Sequence, residues 1–198
     1  MRIVVGISGS TGVIYGVRLL EALRVCEVET HLVFSDSAKR NLELETDYSV
    51  EYVESLATQL HDFHDQAAAI SSGSFRTDGM IIAPCSIKTL SAVAHSYNDS
   101  LLVRAADVTL KERRKLVLVV RETPLHVGHL RLMLSLAEMG AVILPPMPAF
   151  YHFPKTIEDI ISQTVGKALD QFGIDAKLFR RWEGAPRAER VVNPGEGL

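Results

Sequence analysis

Cysteine and long apolar runs are both scarce in this chain of 198 residues. Its two cysteines, Cys26 and Cys85, lie far apart and match no metal-ligand spacing, so we expect reduced thiols in a cytoplasmic protein. No apolar run approaches the ~20 residues that a bilayer requires, and no signal-peptide pattern precedes the first apolar segment. These absences argue against a disulfide-rich, secreted or membrane-spanning protein.

An excess of charge of either sign is also missing, because the formal net charge is only −3 at pH 7. This balance gives no reason to expect nucleic acid or an anionic membrane as a partner. Hydrophobic residues make up 47% and charged residues 23% of the chain, which is typical of globular proteins with a sizeable core. Without internal repeats, the sequence predicts a single domain.

The beginning of the chain combines a strand, a glycine-rich turn and a helix. Residues 3–7 are apolar and rich in β-branched side chains, which predicts a strand buried on both faces, and residues 13–23 predict a helix. Between them, glycines let the backbone approach an anion, hydroxyls can donate to it, and the helix N-terminus favours negative charge. The spacing matches neither Gly-x-Gly-x-x-Gly nor the P-loop. A mononucleotide phosphate is therefore favoured, with an ordinary tight turn as the alternative.

Strand and helix patterns alternate along the rest of the chain. Further strands are predicted at 28–35, 79–83, 115–120 and 141–144, and helices at 35–44, 48–60, 87–94, 100–112, 125–139 and 157–172. Residues 62–76 are predicted as a loop, and prolines hold 145–154 out of regular structure. Five strands alternating with helices predict a three-layer α/β domain around a doubly wound parallel sheet. We expect this domain to span 1–182 and a poorly ordered tail to follow at 183–198.

Polar residues follow the predicted strands at their carboxyl ends, which is where ligands bind in doubly wound sheets. The segments concerned are 9–11, Ser35, 84–89, the Arg121-Glu122 pair and 146–151. This agreement between composition and fold rule predicts a ligand site at that edge of the sheet.

Several of these residues also have a purely structural interpretation. Ser86 and Thr89 can cap a helix or donate hydrogen bonds to a flavin or a phosphate. Arg104 and Lys111 share one helix face, as a solvated basic stripe or as a phosphate site. A Glu beside Arg121 at a strand end can form a structural ion pair or act as an acid/base.

Two further patterns are weaker. Tyr151 and Lys155 have the Tyr-x-x-x-Lys spacing of short-chain dehydrogenases, but Pro154 lies between them and rules out a continuous helix. The histidine pairs at 61/64 and 126/129 lack a third ligand nearby, so we expect no metal site.

Taken together, short segments of this chain resemble the UbiX/Pad family of flavin prenyltransferases, historically named aromatic acid decarboxylases. The matching segments are Gly-Ser-Thr-Gly at 9–12, Glu-Thr-Asp at 45–47, Ser-Gly-Ser at 72–74, Pro-Cys-Ser at 84–86, Lys-Thr-Leu at 88–90, Arg-Ala-Ala-Asp-Val-Thr-Leu-Lys-Glu-Arg-Arg at 104–114, Leu-Val-Leu-Val-Val-Arg-Glu at 116–122 and Pro-Pro-Met-Pro-Ala-Phe-Tyr at 145–151. Each is a weak signal alone, but their order and spacing are specific. The resemblance runs in register over residues 2–182.

The resemblance implies an FMN-binding, flavodoxin-like (Rossmann-like) fold in a large homo-oligomer, usually a dodecamer. It implies metal-independent transfer of a dimethylallyl group from dimethylallyl phosphate to N5 and C6 of reduced FMN. The prenylated FMN would then serve a UbiD-type decarboxylase. By position, the residues implied to hold FMN are Gly9, Ser10, Thr11, Ser35, Ser86, Ile87, Lys88, Thr89 and Arg121. Glu45 would handle a proton near the flavin, and Arg104, Lys111, Glu122, Tyr151 and Lys167 would surround the substrate phosphate, some from a neighbouring subunit.

Two departures from the family pattern bear on the substrate. Lys167 stands where many members have Arg, so a bidentate phosphate contact is lost. Residues 65–70 lack the Trp that some members carry there, and Trp182 is the chain's only tryptophan.

Two other functions remain as alternatives. An FMN-dependent decarboxylase of the cysteine-decarboxylase type is disfavoured, because its Pro-Ala-Ser-Ala-Asn-Thr motif is replaced by Pro-Cys-Ser-Ile-Lys-Thr at 84–89. A non-catalytic FMN carrier or accessory subunit is disfavoured by the extra charged residues, since FMN needs only one phosphate site.

Overall fold

A computed structural model describes residues 1–184 of the chain, and six parallel strands form one sheet at its centre. The strands are β1 Arg2–Ile7, β2 Glu29–Phe34, β3 Gln59–His61, β4 Gly79–Cys85, β5 Lys115–Val120 and β6 Val142–Ile143. Their order across the sheet is β3-β2-β1-β4-β5-β6. The chain therefore begins in the middle of the sheet and winds outward in both directions, which confirms the predicted doubly wound α/β fold.

Helices cover both faces of this sheet. They are α1 Ile14–Val25, α2 Asp36–Glu45, α3 Val50–Ser55, α4 Ile87–Ala94, α5 Leu101–Lys111, α6 Val127–Glu138 and α7 Ile157–Asp170. Serine hydroxyls fix where several of them begin, because Ser35, Ser86 and Ser100 each accept a hydrogen bond from a backbone N–H in the first turn. None of the helices within 1–184 is long and apolar enough to cross a membrane.

Alternate residues of the central strands pack on opposite faces of the sheet. Ile3 and Val5 of β1 lie in one core with α1 and α7, whereas Val4 lies in a second core with α4 and α5. All three side chains are at most 2% exposed. Burial on both faces explains why the strand sequences are continuously apolar instead of alternating.

The prediction of a helix over 48–60 is wrong at its C-terminal end, and the sheet has six strands where five were predicted. Helix α3 stops at Ser55, and the chain then joins the sheet edge as β3. Thr58 and Thr30 explain this, because the backbone N–H of each donates to the hydroxyl of the other, at 3.0 and 3.1 Å. This exchange attaches the segment to β2 before β3 begins.

Smaller differences concern strand ends and loops. Strand β4 continues through Pro84 to Cys85, although Pro84 was expected to stop it, and β6 is only two residues long. The predicted loop at 62–76 contains one short 3₁₀ turn, Ala69–Ser71. Residues 145–154 form neither helix nor strand, as predicted. Most of the predicted tail, 185–198, lies outside the described residues.

Candidate active site

A cavity of about 390 Å³ lies beyond the carboxyl ends of β1, β2, β4 and β5. Every residue that was predicted to bind a cofactor lines it, together with Glu122. These lining residues are Gly9, Ser10, Thr11, Ser35, Ser86, Ile87, Lys88, Thr89, Arg121 and Glu122. The fold thus brings together segments that are more than a hundred residues apart in sequence.

The loops after β1 and β4 are joined by buried hydroxyl groups on the floor of this cavity. The Ser8 hydroxyl donates to the Pro84 carbonyl at 2.9 Å and accepts from the Ser86 backbone N–H at 2.8 Å. The Ser86 hydroxyl caps α4, accepting from the Thr89 N–H at 3.2 Å and donating to the Thr89 hydroxyl at 3.1 Å. Ser86 is therefore a helix cap, and the helix N-terminus that it caps opens onto the cavity, which favours an anion there.

Whether the cavity residues fit a flavin nucleotide can be judged from the hydroxyl of Ser10. Its oxygen is buried and has no hydrogen-bond partner within the described chain, although buried polar atoms are normally paired. A bound ligand with hydrogen-bonding edges, such as FMN, would supply that partner. Lys88 is mostly exposed and only loosely paired with Asp99, at 3.7 Å, so it is available to an anion. The cavity residues therefore fit FMN.

Glu45 supports the glycine-rich loop from outside the cavity. Its carboxylate accepts hydrogen bonds from the backbone N–H groups of Gly12, at 2.7 Å, and Val13, at 3.4 Å. Gly12 has a φ of +91°, a conformation that side chains other than glycine rarely adopt. The carboxylate thus occupies the N-terminal end of α1, close to the loop whose residues 9–11 line the cavity.

Arg121 and Glu122 extend from the end of β5 into the cavity. Among residues 1–184 the two side chains form no ion pair with each other, in contrast to the structural interpretation, and both line the cavity. Glu122 accepts a hydrogen bond from the Thr123 backbone N–H at 3.1 Å. Nearby, burial raises the pKa of the Tyr15 hydroxyl, and the positive charge of Arg121 partly opposes that rise. Both charged groups thus lie where a ligand in the cavity would meet them.

Comparison with known proteins shows the family to which this chain belongs. The Flavoprotein family model matches residues 1–169. The flavin prenyltransferase UbiX of Thauera aromatica is 66% identical over 189 residues, which cover 96% of this chain and 97% of the relative. This chain belongs to the UbiX family of flavin prenyltransferases.

Two solved structures of the UbiX family have the same fold. The structure of AnUbiX (PadA1) in complex with FMN and dimethylallyl pyrophosphate superposes with a TM-score of 0.92 at 53% identity, covering 93% of this chain and 98% of that one. A dodecameric FMN-dependent UbiX-like decarboxylase from Escherichia coli O157:H7 superposes with a TM-score of 0.91 at 56% identity, covering 93% of this chain and 100% of that one.

The residues that the UbiX resemblance assigns to the substrate phosphate lie outside the cavity lining in the single chain, apart from Glu122. Arg104 donates to the Ser71 carbonyl at 3.0 Å and pairs with Asp107, Lys111 pairs with Glu112, and Lys167 lies 3.7 Å from Asp170. Tyr151 packs edge-on against Trp182, with ring centroids 6.0 Å apart. None of these four lines the cavity. Their role at the phosphate stays a prediction that requires neighbouring subunits.

Sequence reasoning missed several cavity residues. Ser37 follows β2 by only a few residues, and its hydroxyl lies 3.5 Å from that of Ser35. The carboxyl-end rule applied two residues further along would have found it. Phe63 lines the cavity just after β3, so it was missed because that strand was missed. The other lining residues, Ala92, Asp99, Ser100 and Val103, come from α4, α5 and their connection.

The histidines are engaged with other side chains. His61 shares a hydrogen bond of 2.8 Å with His31, and His64 pairs with Asp36 at 2.9 Å. The rings of His126 and His129 contact each other at a tilt of 35°, with centroids 3.5 Å apart. Within residues 1–184, no group of three or more candidate ligands is arranged to hold a metal ion.

Proposed function

We propose that this chain is a flavin prenyltransferase that transfers a dimethylallyl group from dimethylallyl phosphate to N5 and C6 of reduced FMN. The observation that carries the proposal is the single cavity at the strand ends, which gathers every predicted FMN-binding residue and Glu122. Relatives with the same activity in their names are as much as 66% identical over nearly the whole chain. Reduced FMN supplies the nucleophilic ring atoms, and no metal ion takes part.

The chain's own residues serve to release the phosphate. Loss of an allylic phosphate leaves a dianion, which cationic and hydrogen-bonding side chains stabilise as the bond breaks. Arg104, Lys111, Tyr151 and Lys167 provide such groups, and Glu122 can exchange a proton with the phosphate oxygen. Glu45, held by Gly12, handles the proton at the flavin.

A homo-oligomer, in our proposal a dodecamer, is needed to assemble these groups. Val127, Leu130 and Leu134 lie along one exposed stripe of α6 and are 62%, 51% and 59% exposed. Such a stripe supports contact with a second copy. Because α6 begins five residues after Glu122, a neighbour seated on the stripe would contact the helix that follows this end of the cavity lining. The relative from Escherichia coli O157:H7 is described as dodecameric.

A mixing experiment tests the shared site. We expect chains with Glu122→Gln and chains with Lys111→Ala each to be nearly inactive alone. If Lys111 acts in a neighbour's site, oligomers that are unfolded and reassembled from both variants regain activity, since some sites receive both native residues. If all residues act within one chain, the mixture stays as inactive as its components.

The biological setting follows from the product. A prenylated flavin has no further use at this site, so we propose that it passes to a UbiD-type aromatic acid decarboxylase. Cys26 and Cys85 are both free thiols, which supports a reducing compartment such as the cytoplasm.

Glu122→Gln also separates the enzyme from a flavin carrier. The substitution removes a proton-exchanging group and keeps the side chain's shape, so we expect FMN binding within about threefold of the parent and prenyl transfer lower by about 100-fold. Glu51→Gln, an exposed substitution on α3 with the same charge change and away from the proposed contact stripe, is the control. Unchanged transfer in Glu122→Gln would contradict the assigned role.

A further inference from the structure

Each cation that is assigned to the substrate phosphate is already paired with a carboxylate of its own helix or helix end. Arg104 pairs with Asp107 at 3.1 Å, and Lys167 lies 3.7 Å from Asp170. Lys111, the last residue of α5, pairs with Glu112, which caps that helix. A phosphate that binds these cations must therefore exchange with carboxylates that hold them beforehand.

Glu112 differs from the other two carboxylates because it has no second hydrogen-bond or ion-pair partner among residues 1–184. Asp107 also accepts a hydrogen bond from the Asn98 amide at 3.2 Å, and Asp170 also binds Arg181 through two bonds, at 2.7 and 3.1 Å. Within the described part of the chain, Lys111 is the only group that donates to the Glu112 carboxylate. The carboxylate can therefore be altered without breaking another contact.

The Lys111–Glu112 pair lies against the loop that contains Gly73. A Cβ on Gly73 would collide with the Glu112 carboxylate and come within 2.8 Å of the Lys111 ammonium nitrogen. Arg114 holds this loop in place by donating to the Gly73 carbonyl at 2.7 Å and to the Phe75 carbonyl at 2.8 Å. The charged ends of both side chains therefore lie against this loop, while part of each side chain stays exposed.

The pair is also accessible to an incoming anion, with side-chain exposures of 47% for Lys111 and 35% for Glu112. The neighbouring ammonium keeps the pKa of Glu112 below its usual value, so the carboxylate is charged at neutral pH. A phosphate dianion carries twice its charge and more acceptor oxygens, and it can replace the carboxylate on Lys111.

We propose that Glu112 sets the affinity of the enzyme for the substrate phosphate, by neutralising and positioning Lys111 until the phosphate replaces it. The inference rests on the proposed function, because it takes Lys111 to be a phosphate ligand. Glu112 is a positioning residue, which acts through Lys111 and touches no reacting atom. Its presence weakens phosphate binding and, in return, allows the product phosphate to leave.

The test compares Glu112→Gln with the parent protein, with the exposed Glu51→Gln on α3 as the charge-matched control and Glu112→Asp as the conservative variant. Because an exposed ion pair contributes only modestly, we expect Glu112→Gln to lower KM for dimethylallyl phosphate by about two- to fivefold. The dissociation constant of inorganic phosphate, measured by calorimetry on the FMN-loaded oligomer, should fall by a similar factor. Glu112→Asp and Glu51→Gln should resemble the parent.

An unchanged or higher KM together with an unchanged or weaker affinity for inorganic phosphate in Glu112→Gln overturns the inference. The calorimetric measurement separates this result from failure of the proposed function. If the parent protein forms no prenylated flavin, the proposed function fails, while phosphate binding still reports on Glu112.

Discussion

The carboxylate of Glu45 accepts a hydrogen bond of 2.7 Å from the backbone N–H of Gly12, 33 residues earlier in the chain. It therefore occupies the N-terminal end of α1, a position that in many nucleotide-binding proteins is taken by a phosphate. The N-terminus of α4, capped by Ser86, remains open to the cavity. Glu45 therefore places a negative charge at the start of α1, whereas the start of α4 has no such carboxylate among the residues that cap it.

Glu45→Gln should separate binding from catalysis. The glutamine oxygen can still accept from Gly12, but it can neither carry charge nor exchange a proton. We expect FMN affinity within about threefold of the parent and turnover lower by about 100-fold or more. Glu43→Gln, an exposed residue of the same helix, is the control and should leave both unchanged. Loss of FMN binding in Glu45→Gln would mean that the residue is mainly structural.

Gly12→Ala should weaken the flavin site beyond its cost to stability. With φ at +91°, alanine is strained here and should destabilise the fold by about 1–2 kcal/mol. Gly140, at φ +100° with open space around it, provides a matched control with a similar backbone cost. In urea unfolding both variants should lose stability, and in FMN titrations only Gly12→Ala should lose affinity. Equal FMN affinity in the two variants would show that the loop does not contribute to flavin binding.

The two cysteines should differ sharply in reactivity. Cys85 is fully buried, and burial raises the pKa of its thiol to about 12, so little thiolate forms near neutrality. Cys26 is only partly buried. A thiol reagent at pH 8 should label Cys26 alone in the native protein and both cysteines after denaturation. Rapid labelling of Cys85 in the folded state would contradict its placement.

Acid should destabilise the protein through His61. Burial, and secondly the neighbouring His31, lower the pKa of His61 in the folded state. The unfolded chain therefore binds a proton more readily, so this contribution to stability is complete above about pH 6.5 and is lost as the pH falls towards the lowered pKa. Urea unfolding at pH 7.5 and 5.5 should show a smaller pH dependence for His61→Gln than for the parent. The exposed His64 provides the control as His64→Gln, and an equal effect of both would contradict this account.

The elements whose bounds were predicted correctly are those that residues close together in the sequence determine. The buried strand at 115–120 and the helix at 87–94 were predicted with the bounds that the structure shows, because a continuous apolar run and a Ser cap decide them. Strand β3 was missed because its pairing depends on the exchange between Thr58 and Thr30, which is a tertiary contact. The cavity residue Phe63 was missed for the same reason, because it lies just after β3.

The residues of the candidate site also divide into those that the strand pattern predicts and those whose position depends on assembly. Residues 9–11, 86–89 and 121–122 follow strands, so the fold rule alone placed them together. The position of Lys111 or Tyr151 relative to the cavity depends on how copies of the chain assemble, which no local pattern contains.

Whether this chain prenylates flavin is decided by anaerobic incubation of the purified oligomer with reduced FMN and dimethylallyl phosphate. The assay follows released phosphate and the mass of the extracted flavin. We predict phosphate in proportion to a flavin that is heavier by one five-carbon unit. Bound FMN of unchanged mass with no phosphate released, from either dimethylallyl phosphate or dimethylallyl pyrophosphate, would contradict the proposed function.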